Sequence, residues 1–109
     1  MPVENNKIDE ITRRIVERFR PQRVVLFGSR ARGDERPDSD YDLLIIAPSN
    51  EPRWRRTVPV YVELAALQLP RDVDVVWWTS DEVAEWSNVK THFITTALRE
   101  GKELYGNAA

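Results

Sequence analysis

Apolar residues recur along this chain in two rhythms. Ile8, Ile11, Ile15 and Phe19 return at helical spacing, which predicts an amphipathic helix over about Lys7 to Arg20, capped by Asn6 and stopped by Pro21. Arg13, Arg14, Glu17 and Arg18 fall outside or along the edge of that stripe. Three short runs follow a different pattern. Val24-Val25-Leu26-Phe27, Asp40-Tyr41-Asp42-Leu43-Leu44-Ile45-Ile46 and Arg71-Asp72-Val73-Asp74-Val75-Val76-Trp77-Trp78 are rich in β-branched and aromatic residues. They read as largely buried strands, the last two with acidic beginnings. Between the second and third, Arg53 to Leu69 contains a helix, best from about Val60 to Leu69. Pro59 suits its first turn and Pro70 closes it. Thr79-Ser80-Asp81-Glu82 matches a capping box, with Thr79 as N-cap and Glu82 reaching back, so a short helix runs to about Trp86. A further helix runs from about Lys90 to Glu100 and stops at Gly101, and Leu104-Tyr105 forms a last extended piece. This order predicts an α/β (α+β) fold, a small mixed sheet of three to four strands flanked by helices. The sheet is mixed if the first two strands pair through the long turn between them.

The chemistry lies in that turn. The first strand ends at Gly28-Ser29, followed by Arg30-Ala31-Arg32-Gly33. Glycine turns without a Cβ and lets a ligand approach the backbone. Ser29 suits a helix N-cap, and free N–H groups at a helix start bind anions. Arg30 and Arg32 add guanidinium groups that match phosphate. The second strand then opens with Asp40 and Asp42, which share one face because side chains alternate. Two carboxylates this close repel each other, and folding does not require them. A hard cation removes the repulsion, and Mg²⁺ is typically held by one or two carboxylates plus substrate phosphates. A third carboxylate is available on the third strand, where Asp72 and Asp74 share a face; the pattern does not choose between them. Three carboxylates on two neighbouring strands could hold two metals about 4 Å apart and serve an in-line phosphoryl or nucleotidyl displacement.

These residues resemble a known family. Gly28-Ser29, ten residues, then Asp40-Tyr41-Asp42 resembles the signature of the polymerase-β-like nucleotidyltransferases, and the flanks Leu26-Phe27 and Pro37-Asp38-Ser39 fit as well. The chain looks most like the minimal nucleotidyltransferases, small prokaryotic proteins usually paired with a HEPN-domain protein in toxin–antitoxin modules. Val73-Asp74-Val75-Val76 and the tail from Ala97 to Gly106 extend the resemblance over roughly residues 8–106. It implies that Gly28 and Ser29, with Arg30 beside them, hold the triphosphate. It implies that Asp40 and Asp42 ligate two Mg²⁺ ions, and that Asp74, rather than Asp72, is the third ligand and helps activate the incoming hydroxyl. It implies ATP as donor and AMP as the group transferred, with a tyrosine of the HEPN partner as acceptor, so that the chain acts as an antitoxin. The alternative is a non-catalytic module that inhibits a HEPN partner by stoichiometric contact. Transfer to a small molecule ranks below both, because no second domain builds an acceptor pocket.

Composition narrows the field further. A chain of 109 residues is expected to form one domain, over 1–109. With 31% charged residues and a net charge of −2, it is not a basic nucleic-acid binder. The absence of cysteine excludes disulfides and thiolate metal sites and suits a cytoplasmic protein. The polar stretch from Met1 to Lys7 lacks the apolar core of a signal peptide, and no run is long enough to span a membrane. His92, the single histidine, reads as a structural or surface residue rather than a catalytic one. Trp77 and Trp78 must face opposite sides of a strand, and Trp54 and Trp86 are either caps on a small core or anchors for a partner. Arg53, Arg55 and Arg56 form either a solvated helix face or a basic patch for an acidic partner or RNA.

Overall fold

The computed structural model describes residues 3–28, 41–67, 72–86 and 93–106. Helix α1 (Val3–Phe19) leads into strand β1 (Arg23–Phe27). Strand β2 (Tyr41–Ile46) is followed by two short helices, α2 (Arg53–Arg56) and α3 (Val58–Leu64). Strand β3 (Val73–Trp78), helices α4 (Ser80–Trp86) and α5 (Phe93–Glu100), and strand β4 (Lys102–Gly106) complete the order. The four strands form one mixed sheet in the order β3-β2-β1-β4. β1 runs antiparallel to both β2 and β4, and β2 runs parallel to β3.

Strand alternation sorts the core into two layers. Val24, Leu26, Tyr41, Leu43, Ile45, Val75 and Trp77 meet Ile11 and Ile15 of α1 and Val60 and Leu64 of α3. The opposite face carries Val25, Leu44, Ile46 and Trp78 against Ile94 and Ala97 of α5. The adjacent tryptophans thus divide between the layers. Trp77 packs edge-on against Phe19 and donates its indole N–H to Ala47 O at 2.9 Å. Trp78 lies under the guanidinium of Arg53, 4.4 Å from the ring centre, a cation–π contact.

Local chemistry explains most boundaries. The capping box forms as expected: Thr79 N–H donates to Glu82 Oε1 at 2.8 Å, and Glu82 N–H donates to Thr79 Oγ1 at 3.2 Å. Arg20 takes a positive φ of 48° before Pro21 and closes α1. That helix begins at Val3 rather than Lys7, because none of Val3 to Asn6 is a proline or glycine that would stop it. The helix expected between Arg53 and Leu69 divides at Thr57. Pro59 lacks the N–H to continue the first segment and instead sits in the first turn of the second, which ends at Leu64.

Gly101 ends α5 where the chain turns back under β1. A Cβ there would overlap Ala97 O and lie 2.5 Å from Val25 Cγ1. Gly101→Ala is therefore expected to cost about 1–3 kcal/mol, the scale of an overpacked core, as read from the midpoint of urea unfolding.

Candidate active site

One end of the sheet gathers the end of β1 and the starts of β2 and β3. Phe27 is paired with Asp42, and Asp42 is in register with Asp74. Neighbouring strands lie about 4.8 Å apart, and both aspartates are on the α5 side of the sheet, one step from Leu44 and Val76 of that layer. Asp42 is half-buried and Asp74 exposed. Like charges side by side across a ladder are destabilising, so the sheet carries a cost here that packing does not explain.

Gly28 follows Phe27 and takes a φ of +77°, a left-handed conformation that glycine adopts freely. The turn is also bare for a second reason. A Cβ at Gly28 would overlap the Asp42 carboxylate oxygen Oδ2 and come within 3.2 Å of its Cγ. The turn and the first described acid are thus in close contact. Both members of the acid pair present oxygen donors, the kind that hard divalent cations take.

Of the sequence-predicted site residues, Gly28, Asp42 and Asp74 come together. Ser29, Arg30 and Asp40 lie outside the described residues, as do Arg32 and His92. Asp72 immediately precedes β3, and its backbone O accepts Tyr41 N–H at 3.0 Å. Asp74, not Asp72, is level with Asp42.

Of the basic cluster Arg56 turns inward, while Arg53 and Arg55 stay exposed. Arg56 is buried and donates through Nη1 and Nη2 to Glu82 at 2.7 and 3.3 Å, through Nε to Glu51 O at 2.8 Å, and through Nη1 to Trp77 O at 3.3 Å. Arg53 lies on Trp78 and 3.8 Å from Glu82, and Arg55 lies 3.8 Å from Glu51. The Arg56 guanidinium beside Glu82 lowers its carboxyl to about 2, more than offsetting the opposing effect of burial. A groove of 540 Å³ between α1 and the α2–α3 pair, walled by Phe19, Val58, Val62 and Trp77, belongs to the other side of the sheet and shares no residue with the acids.

The family profile described as "Polymerase beta, Nucleotidyltransferase" matches residues 6–109. The chain belongs to the polymerase-β nucleotidyltransferase family. Solved structures agree with the fold. A candidate nucleotidyltransferase from Sulfolobus solfataricus superposes with a TM-score of 0.65 at 20% identity, covering 94% of this chain and 79% of the other. A toxin–antitoxin structure with AMP-PNP gives 0.56 at 26% identity, covering 91% and 73%. A mutant of the toxin–antitoxin MntA–HpeT gives 0.56 at 27% identity, covering 97% and 75%. Comparison with curated proteins gives no match. Among the described residues of this nucleotidyltransferase, no helix is long and apolar enough to cross a membrane.

Proposed function

We propose that this chain is the antitoxin of a toxin–antitoxin pair and transfers AMP from ATP to a hydroxyl, a tyrosine of a HEPN-domain toxin. The observation that carries the reading is the contact of a bare left-handed turn at Gly28 with Asp42, which is level with Asp74. Family membership supports the reaction class. The toxin–antitoxin structures it resembles support the partner, and the AMP-PNP in one of them supports an adenine nucleotide. Another MntA–HpeT structure carries two Asp→Glu changes spaced two residues apart, the spacing of Asp40 and Asp42 here.

In this reading the Gly28 backbone admits the triphosphate, and Ser29 and Arg30 hold it. Asp40, Asp42 and Asp74 hold two Mg²⁺ ions; their carboxylate oxygens fit a hard cation, which also removes the repulsion between Asp42 and Asp74. Mg²⁺, when bound, neutralises charge at the α-phosphate and the leaving pyrophosphate. The acceptor oxygen forms a bond to the α-phosphorus as the bond to the β-phosphate oxygen breaks. A carboxylate oxygen of Asp74 takes the acceptor's proton.

Intact mass spectrometry of the co-expressed partner tests this. With the wild-type chain the partner gains the mass of one or more AMP units. Asp42→Asn and Asp74→Asn each lower labelling roughly a hundredfold or more, the scale of losing several kcal/mol of transition-state stabilisation, while the protein stays folded and is no less stable than wild type, the repulsion across the ladder being relieved. A partner that is neutralised at a one-to-one ratio yet never gains mass, with wild-type or variant, would replace this reading with the stoichiometric binder.

A further inference from the structure

Among the described residues β3 is the outer strand on its side of the sheet, so alternate residues turn their backbone groups away from the ladder. Tyr41 N–H donates to Asp72 O and Ala47 N–H to Trp78 O, at 3.0 and 3.1 Å. Residues 72, 74, 76 and 78 therefore face β2 with N–H and C=O, and Val73, Val75 and Trp77 face the open edge. Edge strands with unpaired groups are the part of a sheet most prone to fray or mispair. Asp74 stands on such a strand, with a ladder on one side.

The other side is held by α3 next to Asp74 and, further along, by Arg56 of α2 at Trp77 O. Tyr61 Oη accepts Val75 N–H at 2.8 Å. Asp74 C=O and Val75 N–H belong to one peptide plane and point in opposite directions. That plane is seated against β2 through its carbonyl and against Tyr61 through its N–H. The ring is 43% exposed, and its neighbours Val58 and Val62 are exposed as well. Tyr61 thus contributes less to core filling than a buried aromatic does, and its hydroxyl reaches the peptide that follows Asp74.

We infer that Tyr61 is a positioning residue: by fixing the Asp74–Val75 peptide from the outer edge of β3, it holds the Asp74 carboxylate where a divalent ion is shared with Asp42. The inference rests on the metal site proposed above. Carboxylates in such sites need placement to about 0.5 Å, which a strand tethered on one side does not supply.

The test is Mn²⁺ binding, used in place of Mg²⁺ and followed by the free-ion paramagnetic resonance signal, in the presence of a non-hydrolysable ATP analogue. It compares wild type, Tyr61→Phe, which removes only the hydroxyl, and Arg14→Gln. The last removes one of the two α1 arginines on Glu63 of α3, the 3.1 Å Arg14 pair, with Arg18 remaining at 3.2 Å, and leaves β3 untouched. Tyr61→Phe is expected to raise the half-saturating Mn²⁺ concentration about three- to tenfold, at or below the usual cost of losing a group that orients a ligand. Arg14→Gln leaves it unchanged. A change below about twofold in Tyr61→Phe, or equal weakening in both variants, overturns the inference. Asp42→Asn and Asp74→Asn separate the two ways of failing. If wild type shows no saturable Mn²⁺ binding, or these variants do not weaken it, the metal site itself is wrong and the role of Tyr61 goes with it. If they do weaken it and Tyr61→Phe does not, only the positioning role is lost.

Discussion

Gly28→Ala is expected to lower nucleotidyl transfer about a hundredfold, the typical cost of displacing a reacting group by an ångström, while the protein still folds. Two effects combine at this position. Alanine at a φ of +77° carries a left-handed penalty of about 1–2 kcal/mol. That alone lowers Tm by roughly 5–10 °C in a domain of this size. The new methyl also meets the Asp42 carboxylate, which must rotate away from the side it shares with Asp74. The first effect is a stability cost and the second a functional one, and Gly28→Asn separates them. Asparagine tolerates the left-handed region better than alanine, but it carries the same Cβ. The Asn variant should therefore recover part of the lost Tm and none of the lost activity. Thermal melts together with partner labelling followed by mass read both quantities. A Gly28→Ala protein that labels its partner at the wild-type rate would show that the bare turn is not part of the site.

Much of this arrangement could be read from the chain because its signals are local. Buried strands announce themselves as continuous apolar runs, so β1, β2 and β3 fall within two residues of their expected limits. The capping box needs only four consecutive residues, and it forms with both of its hydrogen bonds. The sharing of one face by Asp42 and Asp74 follows from alternation once β2 and β3 are neighbours, and their parallel register then places them level. That register is the part that no local pattern carries. By alternation Asp72 and Asp74 were equivalent, and pairing separates them. β4 was legible only as an extended piece. Its Lys102 and Glu103 are exposed, so it lacks the apolar run that marks a central strand, and its place comes from antiparallel pairing with β1 and the Arg23–Glu103 pair at 2.6 Å. Two side chains gave no signal. Tyr61 reaches the edge of β3 from a different element, and Arg56 reads in sequence as one of three solvated arginines. The break at Thr57 turns Arg56 inward while Trp54 stays 75% exposed.

That inward turn makes the Arg56–Glu82 pair, at 2.7 Å with Arg56 buried, an electrostatic contribution to stability. Removing one partner is expected to cost about 2–3 kcal/mol, below the roughly 3–5 kcal/mol of a fully buried pair, because Arg56 is buried but Glu82 stays partly exposed and keeps Arg53 at 3.8 Å. This is a large part of the roughly 5–15 kcal/mol that holds a domain together. Arg56→Met would leave Glu82 with the Thr79 N–H and the more distant Arg53 at 3.8 Å, and would strip Glu51 O and Trp77 O of the Arg56 donor. It therefore loosens α2 and α4 from the end of β3 at once. The pH dependence has a definite sign. Glu82 titrates near 4.5 in the unfolded chain and near 2 in the folded one, so the unfolded state takes up its proton first as pH falls. The stabilisation is complete above about pH 4.5 and is lost progressively down to about pH 2; a shift of this size corresponds to about 3 kcal/mol. Other carboxylates titrate in the same window, so the informative quantity is the stability gap between wild type and Glu82→Gln. Glutamine keeps the shape and the acceptor oxygen but not the charge. In urea unfolding the gap should be about 2–3 kcal/mol at pH 7, close steadily below pH 4.5 and nearly vanish by pH 2. A gap that stays constant across this range would mean that Glu82 acts through its hydrogen bonds alone. Joining Arg56→Met with Glu82→Leu should recover a large share of what either truncation loses, since a well-packed apolar pair often replaces a buried ion pair at little cost. The recovery would be incomplete, because the leucine cannot accept Thr79 N–H and the methionine cannot donate to Trp77 O at the edge of the strand that carries Asp74.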